Sequence, residues 1–151
     1  MFDFYTLKNG VRVVLVPMPG VQSVAVGVYV GTGSRYETPE INGISHFMEH
    51  MVFKGTKNYP TSKDTSQLEG LGAIQNAWTD VDATSYYCKI PADKSIQALD
   101  LLKDLALYPT FPQHDLEIGK GVIIEEINMY DDKPEHLVGK HFQKMLYGYN
   151  C

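Results

Sequence analysis

The sequence predicts an α+β fold, and three observations predict it. β-Branched runs occupy Val11 to Val16 and Val24 to Val30, a second pair of strand-like runs covers Gly72 to Thr79 and Ala83 to Ile90, and most of the remainder has helical periodicity. Strands and helices come in mixed order, which suits a sheet packed against helices.

Each element has a local reason. The first two runs are separated by Pro17-Met-Pro-Gly20, a proline-bearing turn that suggests an antiparallel pair. Gly43 to Phe53 reads as a helix, because Ile44, Phe47, Met48 and Met51 fall at i, i+3, i+4 and i+7 and form one apolar stripe. Thr61-Ser-Lys-Asp64 opens a second helix that reaches about Leu71. The second strand pair turns at Asp80-Val-Asp82. After Pro91, Ile96, Leu99, Leu102 and Leu105 recur at three-residue intervals, and Ala98 and Leu101 widen that stripe, giving a helix that ends before Pro109. Further helix runs from about His114 to Asp131, and another follows Pro134.

Composition narrows the function classes. A chain of 151 residues with 44% hydrophobic content can bury one sizeable core, and no linker or low-complexity stretch divides it, so residues 1–151 read as a single domain. A formal net charge of −5 with scattered Lys and Arg offers no patch for nucleic acid. Met1-Phe-Asp-Phe-Tyr lacks the features of a signal peptide, and no apolar run is long enough to span a bilayer, so a soluble, cytoplasmic chain without a membrane role is expected. Two cysteines, Cys88 and Cys151, are too few for a disulfide scaffold. Cys88 lies in the alternating run Thr84 to Ile90 and reads as a small buried strand residue. His114, His136 and His141 have no metal spacing to one another and read as surface or helix-end residues.

The chemistry-bearing stretch is His46-Phe47-Met48-Glu49-His50. On a helix, residues i and i+4 stack on one face and i+3 lies beside them. His46 and His50 can therefore reach one metal while Glu49 stays close to a water on it, and this polar stripe lies roughly opposite the apolar one. A catalytic zinc normally takes three protein ligands and leaves a fourth position open. Glu126, in the helical run from Gly121 to Tyr130, has Val122, Ile123, Met129 and Tyr130 at its i±3 and i±4 positions. A carboxylate in an apolar ring needs a partner, either a Lys or Arg or the metal that His46 and His50 point to. Glu125, one step around the helix, reads as solvated.

The motif H-x-x-E-H followed 76 positions later by a glutamate in Val-Ile-Ile-Glu-Glu-Ile resembles the inverzincin metallopeptidases of the pitrilysin type, peptidase family M16. That group includes the insulin-degrading enzymes and the mitochondrial processing peptidases. Leu7-Lys-Asn-Gly-Val-Arg-Val-Val, Gly31-Thr-Gly-Ser-Arg-Tyr-Glu, Phe53-Lys-Gly-Thr and Asn76-Ala-Trp-Thr extend the likeness over nearly the whole chain, and Glu125 to Pro134 is similar to the bacterial members.

The resemblance implies an antiparallel or mixed β-sheet with helices packed on one face and the metal helix lying across it. It implies Zn2+ held by His46, His50 and Glu126, and peptide-bond hydrolysis by a zinc-bound water with Glu49 as general base. It also implies that the strand around Ala73 to Trp78 captures an extended peptide as an added strand, with Asn76 and Ala77 as contacts. Two departures stand out. The family usually carries a second glutamate seven residues before its metal glutamate; Gly119 stands there, and Glu117 points elsewhere on the helix. Because glycine inside a helix costs about 1 kcal/mol relative to alanine, Gly119→Glu is expected to strengthen the helix. Family members are also several times longer and enclose substrate between two halves, the second supplying an Arg and a Tyr. A fragment, or a chain completed by a second domain, a homo-oligomer or a partner chain, is therefore expected. The other readings are a metal-binding but non-hydrolytic partner subunit, and a lyase of the S-ribosylhomocysteine type, which uses a cysteine as third metal ligand.

Overall fold

In the computed structural model, residues 1–147 are described, and Cys151 lies outside them. Strands β1 (Asp3–Thr6) and β2 (Arg12–Leu15) pair antiparallel, with Thr6 opposite Arg12. Asn9-Gly10 lies in the connection: Gly10 takes φ +87°, a conformation that a Cβ disfavours, and Asn9 Oδ1 accepts from Val11 N at 3.2 Å. The expected pairing of Val11 to Val16 with Val24 to Val30 is thereby corrected. β1 takes that place, and the Asn-Gly dipeptide was the signal for it. Pro17 to Gly20 is a crossing between two sheets rather than a hairpin turn.

The second sheet has the order β3 (Ser23–Val30), β5 (Thr84–Pro91), β4 (Ile74–Thr79), antiparallel throughout. Alternation sends Val24, Val26, Val28 and Val30, Tyr86, Cys88 and Ile90, and Ala77 to one face, where they join the core. The opposite face carries Tyr29, Ile74 and Trp78, all exposed. Helices cover one face, as expected.

α3 (Ser95–Leu107) packs on β3 and β5. Its buried stripe is Ala98, Leu101, Leu102 and Leu105, spaced i, i+3, i+4 and i+7, whereas Ile96 is 73% exposed and Leu99 50%. The strict three-residue reading was therefore too simple: a 3.6-residue helix carries such a series off the core face within two turns. Asp104 is also on the buried side. It accepts from Thr56 Oγ1 at 3.0 Å, Asn58 N at 3.1 Å and Asn58 Nδ2 at 3.1 Å, and so ties the loop before α2 (Ser62–Thr65) to α3. Thr61 and Asp64 form a reciprocal capping box at the start of α2, the second expected helix, which continues from Gln67 to Leu71 as a tighter 3-10 turn.

α1 (Ile44–Val52) lies against β4 and α4 (Gln113–Asp131) rather than across the whole sheet. Of its apolar stripe Met51 is fully buried and joined by Val52, but Ile44 and Met48 are 39% and 41% exposed. α4 runs on into α5 (Pro134–Tyr147). Where α4 meets α1, Gly119 is buried, and a Cβ there would lie 2.8 Å from Met51 Sδ and 3.4 Å from Phe47 Cε2. This contact works against the expectation that Gly119→Glu strengthens the helix, because the Met51 side chain must shift to admit a Cβ where the glycine lets the two helices approach. Among the described residues no helix is long and apolar enough to cross a membrane.

Candidate metal centre

The start of α1 is fixed by a carboxylate seven residues before its first helical residue. Glu37, 8% exposed, accepts from Gly43 N at 2.6 Å and from Ser45 N at 2.8 Å, while Gly43 takes the left-handed N-cap position at φ +89°. Donors that a helix N-terminus leaves unpaired are thus satisfied, and a negative charge sits at the positive end of the helix dipole. Burial works against ionising Glu37, but the N–H groups of Ser45 and Gly43 outweigh it and hold the carboxyl below its ordinary range. Sequence reasoning met Glu37 only within the run Gly31 to Glu37. No local capping pattern marks it, because its donors lie six and eight positions downstream.

His46 and His50 stand one turn apart on α1, and α4 brings Glu126 to them. The two Nε2 atoms are 3.1 Å apart, His46 Nε2 is 3.8 Å from Glu126 Oε1, and His50 Nε2 is 3.3 Å from Glu126 Oε2. Two atoms each about 2.1 Å from one tetrahedral zinc would be about 3.4 Å apart. The observed spacings bracket that value, and two imidazole nitrogens with a carboxylate oxygen form a donor set that Zn2+ accepts, so the residues fit the ion. Among the described residues Glu126 has no Lys or Arg partner, and Cys88, fully buried in the core, is not part of the cluster. Burial raises the Cys88 thiol pKa.

The expected apolar ring does not bury Glu126. Of its apolar neighbours only Ile123 is buried, and Val122, Met129 and Tyr130 are 49%, 47% and 40% exposed. The histidines on α1 cover it instead. Glu125 is exposed, and Glu117 pairs with Lys120 at 2.8 Å, away from the cluster.

Glu49 turns toward the sheet. Its Oε2 accepts from Thr79 Oγ1, the last residue of β4, at 2.6 Å. Burial first, and the charge of Glu49 second, push the Tyr86 phenol up to about 12. Thr79 was missed as a functional residue; it was visible only as the end of Asn76-Ala-Trp-Thr.

β4 is the outer strand of its sheet. Asp80 N donates to Ala83 O at 2.9 Å just beyond the last β4–β5 pair, so the antiparallel alternation turns the main-chain groups of Gln75 and Ala77 toward the free edge. Asn76 Oδ1 accepts from Ala77 N at 2.8 Å. Asn76 and Ala77 therefore lie on an available edge, with the Asn76 amide covering one of its donors. A cleft of about 270 Å³ opens beside His46 and Glu126, walled by Ile127 and Tyr130 of α4 and by His136 and Lys140 of α5. His136, read from sequence as a surface or helix-end residue, is exposed but stacks edgewise on Tyr130 at 4.8 Å and so shapes this cleft.

Comparison with known proteins matches residues 12–150 to the family model described as Insulinase (Peptidase family M16). The "uncharacterized zinc protease YmxG" of Bacillus subtilis is 46% identical over 148 residues, which is 98% of this chain and 36% of that protein. An "uncharacterized zinc protease" of Mycobacterium leprae is 37% identical over 95% of this chain and 32% of its own length. The crystal structure of a protease from Helicobacter pylori superposes with a TM-score of 0.85 at 28% identity, covering 91% of this chain and 33% of that one. The chain thus spans about a third of the length of the relatives it matches.

Proposed function

The chain belongs to peptidase family M16, the insulinase family, and from that premise we propose that it is a zinc-dependent endopeptidase domain acting on extended peptides. The observation that carries this is the convergence of His46, His50 and Glu126 at tetrahedral ligand spacing, with a carboxylate that is not part of the cluster, Glu49, on the same helix. His46, His50 and Glu126 would hold the ion. When bound, zinc supplies Lewis acidity that brings the pKa of water at the site to about 7.

The chain's own residues do the rest. Glu49 takes the proton from the attacking water and passes it to the leaving amine, so one carboxylate serves as base and then as acid. The free edge of β4 binds the peptide through main-chain groups of Gln75 and Ala77, which asks for an extended backbone and no particular side chain. Asn76 releases the Ala77 N–H as the substrate strand arrives. The cleft beside Tyr130 and His136 accepts a side chain flanking the scissile bond.

Acting alone, the chain is expected to be slow. Fixing reactants in an attack-ready geometry can supply on the order of 7 to 11 kcal/mol, and an edge strand grips the peptide from one side only. A second domain, a second copy or a partner chain would complete the chamber. Zinc reconstitution tests the reading: the parent should take one zinc per chain, His50→Ala and Glu126→Ala should lose it, and Glu49→Gln should keep the ion while losing chelator-sensitive cleavage of an unstructured fluorogenic peptide. Full turnover in Glu49→Gln, or zinc retained at parent affinity in Glu126→Ala, would reject these roles. Metal loading without cleavage in the parent, under all partner conditions, would favour the non-hydrolytic subunit.

A further inference from the structure

We propose that Thr79 is a positioning residue for Glu49, fixing which carboxylate oxygen receives the proton. The inference deepens the reading above and rests on Glu49 as general base. An ionised carboxylate only accepts hydrogen bonds, so in the 2.6 Å contact between Thr79 Oγ1 and Glu49 Oε2 the hydroxyl donates. Thr79 has a single hydroxyl proton, and it is used there. Thr84, directly opposite on β5, donates to Thr32 O at 3.0 Å, so neither hydroxyl has a proton left for the other and their 3.4 Å approach is a packing contact. The Thr79 proton is thereby committed to Glu49 and the Thr84 proton to Thr32.

The consequence is mechanical. A glutamate on a helix surface has three rotatable side-chain bonds and samples several rotamers. Thr79 is β-branched and sits in a paired strand, so its own χ1 is restricted. The paired strand holds Thr79, its hydroxyl holds Oε2, and Oε1 is left to take the proton. Because Thr79 ends the strand that offers its edge to the peptide, one element would set the positions of both base and substrate.

The test has two readouts. In the metal-free chain, Thr79→Val should lower the urea unfolding midpoint, and the shift should shrink in a Glu49→Ala background, where the bond is already gone. Equal shifts in both backgrounds would overturn the contact. In the zinc-reconstituted chain, Thr79→Val and Thr79→Ala should keep one zinc and the parent KM while kcat falls about 10- to 100-fold, and Thr79→Ser should recover most of it. Parent-like kcat in both variants, with Glu49→Gln inactive, overturns the Thr79 inference alone. A raised KM at unchanged kcat overturns it too, since Thr79 would then serve only the strand edge. Parent-like kcat in Glu49→Gln removes the base assignment and the catalytic role of Thr79 with it.

Discussion

The side of the molecule built by α3 and the three-stranded sheet and the side built by α4 and α5 are held by different means. On the first, Cys88, Ala98 and Leu101 are fully buried, and Ile90, Leu102 and Leu105 are 1% exposed. On the second, only Gly119 and Ile123 of the nineteen residues of α4 are buried, while Ile118, Val122, Ile124 and Ile127 are about half exposed. Yet α4 supplies Glu126. Burial is concentrated on the α3 side, and the candidate metal cluster spans the seam where thinly packed α4 touches α1. A substitution on the α3 side should therefore register as a change in unfolding, and one at the seam as a change in metal binding or turnover.

Leu102→Ala should produce the largest stability loss, about 2 to 5 kcal/mol for a fully buried leucine, whereas Ile96→Ala on the same helix should cost less than about 0.5 kcal/mol. Urea unfolding of the two variants checks it; equal losses would mean that α3 is rotated relative to the face described. Gly119→Glu should come next, at about 1 to 3 kcal/mol of overpacking against Met51, with weakened zinc binding as α4 is pushed from α1. A melt above that of the parent would break the distinction between the two sides, since the seam would then have room to spare.

Acid should expose the smallest effect, and on the α3 side. Burial opposes the charge on Asp104, but the hydrogen bonds from Asn58 and Thr56 prevail and hold its carboxyl below the usual aspartate range. A depressed folded-state pKa contributes stability that is complete above the unfolded value and is lost as pH falls through the folded one. Urea midpoints should therefore fall below about pH 4 in the parent, and less steeply in Asp104→Asn. Identical pH profiles for the two would remove Asp104 as a source of acid sensitivity.

How much of this was legible depended on how local the cause was. The α1 motif could be read because His46, Glu49 and His50 obey the geometry of one helix, and the β4–β5 pair because its turn and both strands are contiguous. Glu126 was reached first through its apolar neighbours and then through family resemblance; the local argument for its burial failed, since exposure of Val122 and Met129 depends on what α4 packs against. Asn9-Gly10 was readable and β1 was overlooked. Glu37, Thr79 and Gly119 act across elements, through a loop carboxylate on a helix start, a strand end on a helix side chain, and a missing Cβ between two helices. Such pairings have no period in the sequence, and become visible only when the elements are assembled.

The Asn76 carboxamide on the Ala77 N–H has a bearing on solution behaviour. A free strand edge does not distinguish the backbone of a substrate from the edge of another copy, and unprotected edges template aggregation. The internal hydrogen bond withdraws one donor from any chance encounter, so a newcomer gains from that position only by replacing it. A brief, badly registered collision between two copies makes few compensating bonds and falls away. A peptide lying along the whole strand makes several, and tips the exchange. Under the proposed function, the edge would in this way favour peptides long enough to pair along it.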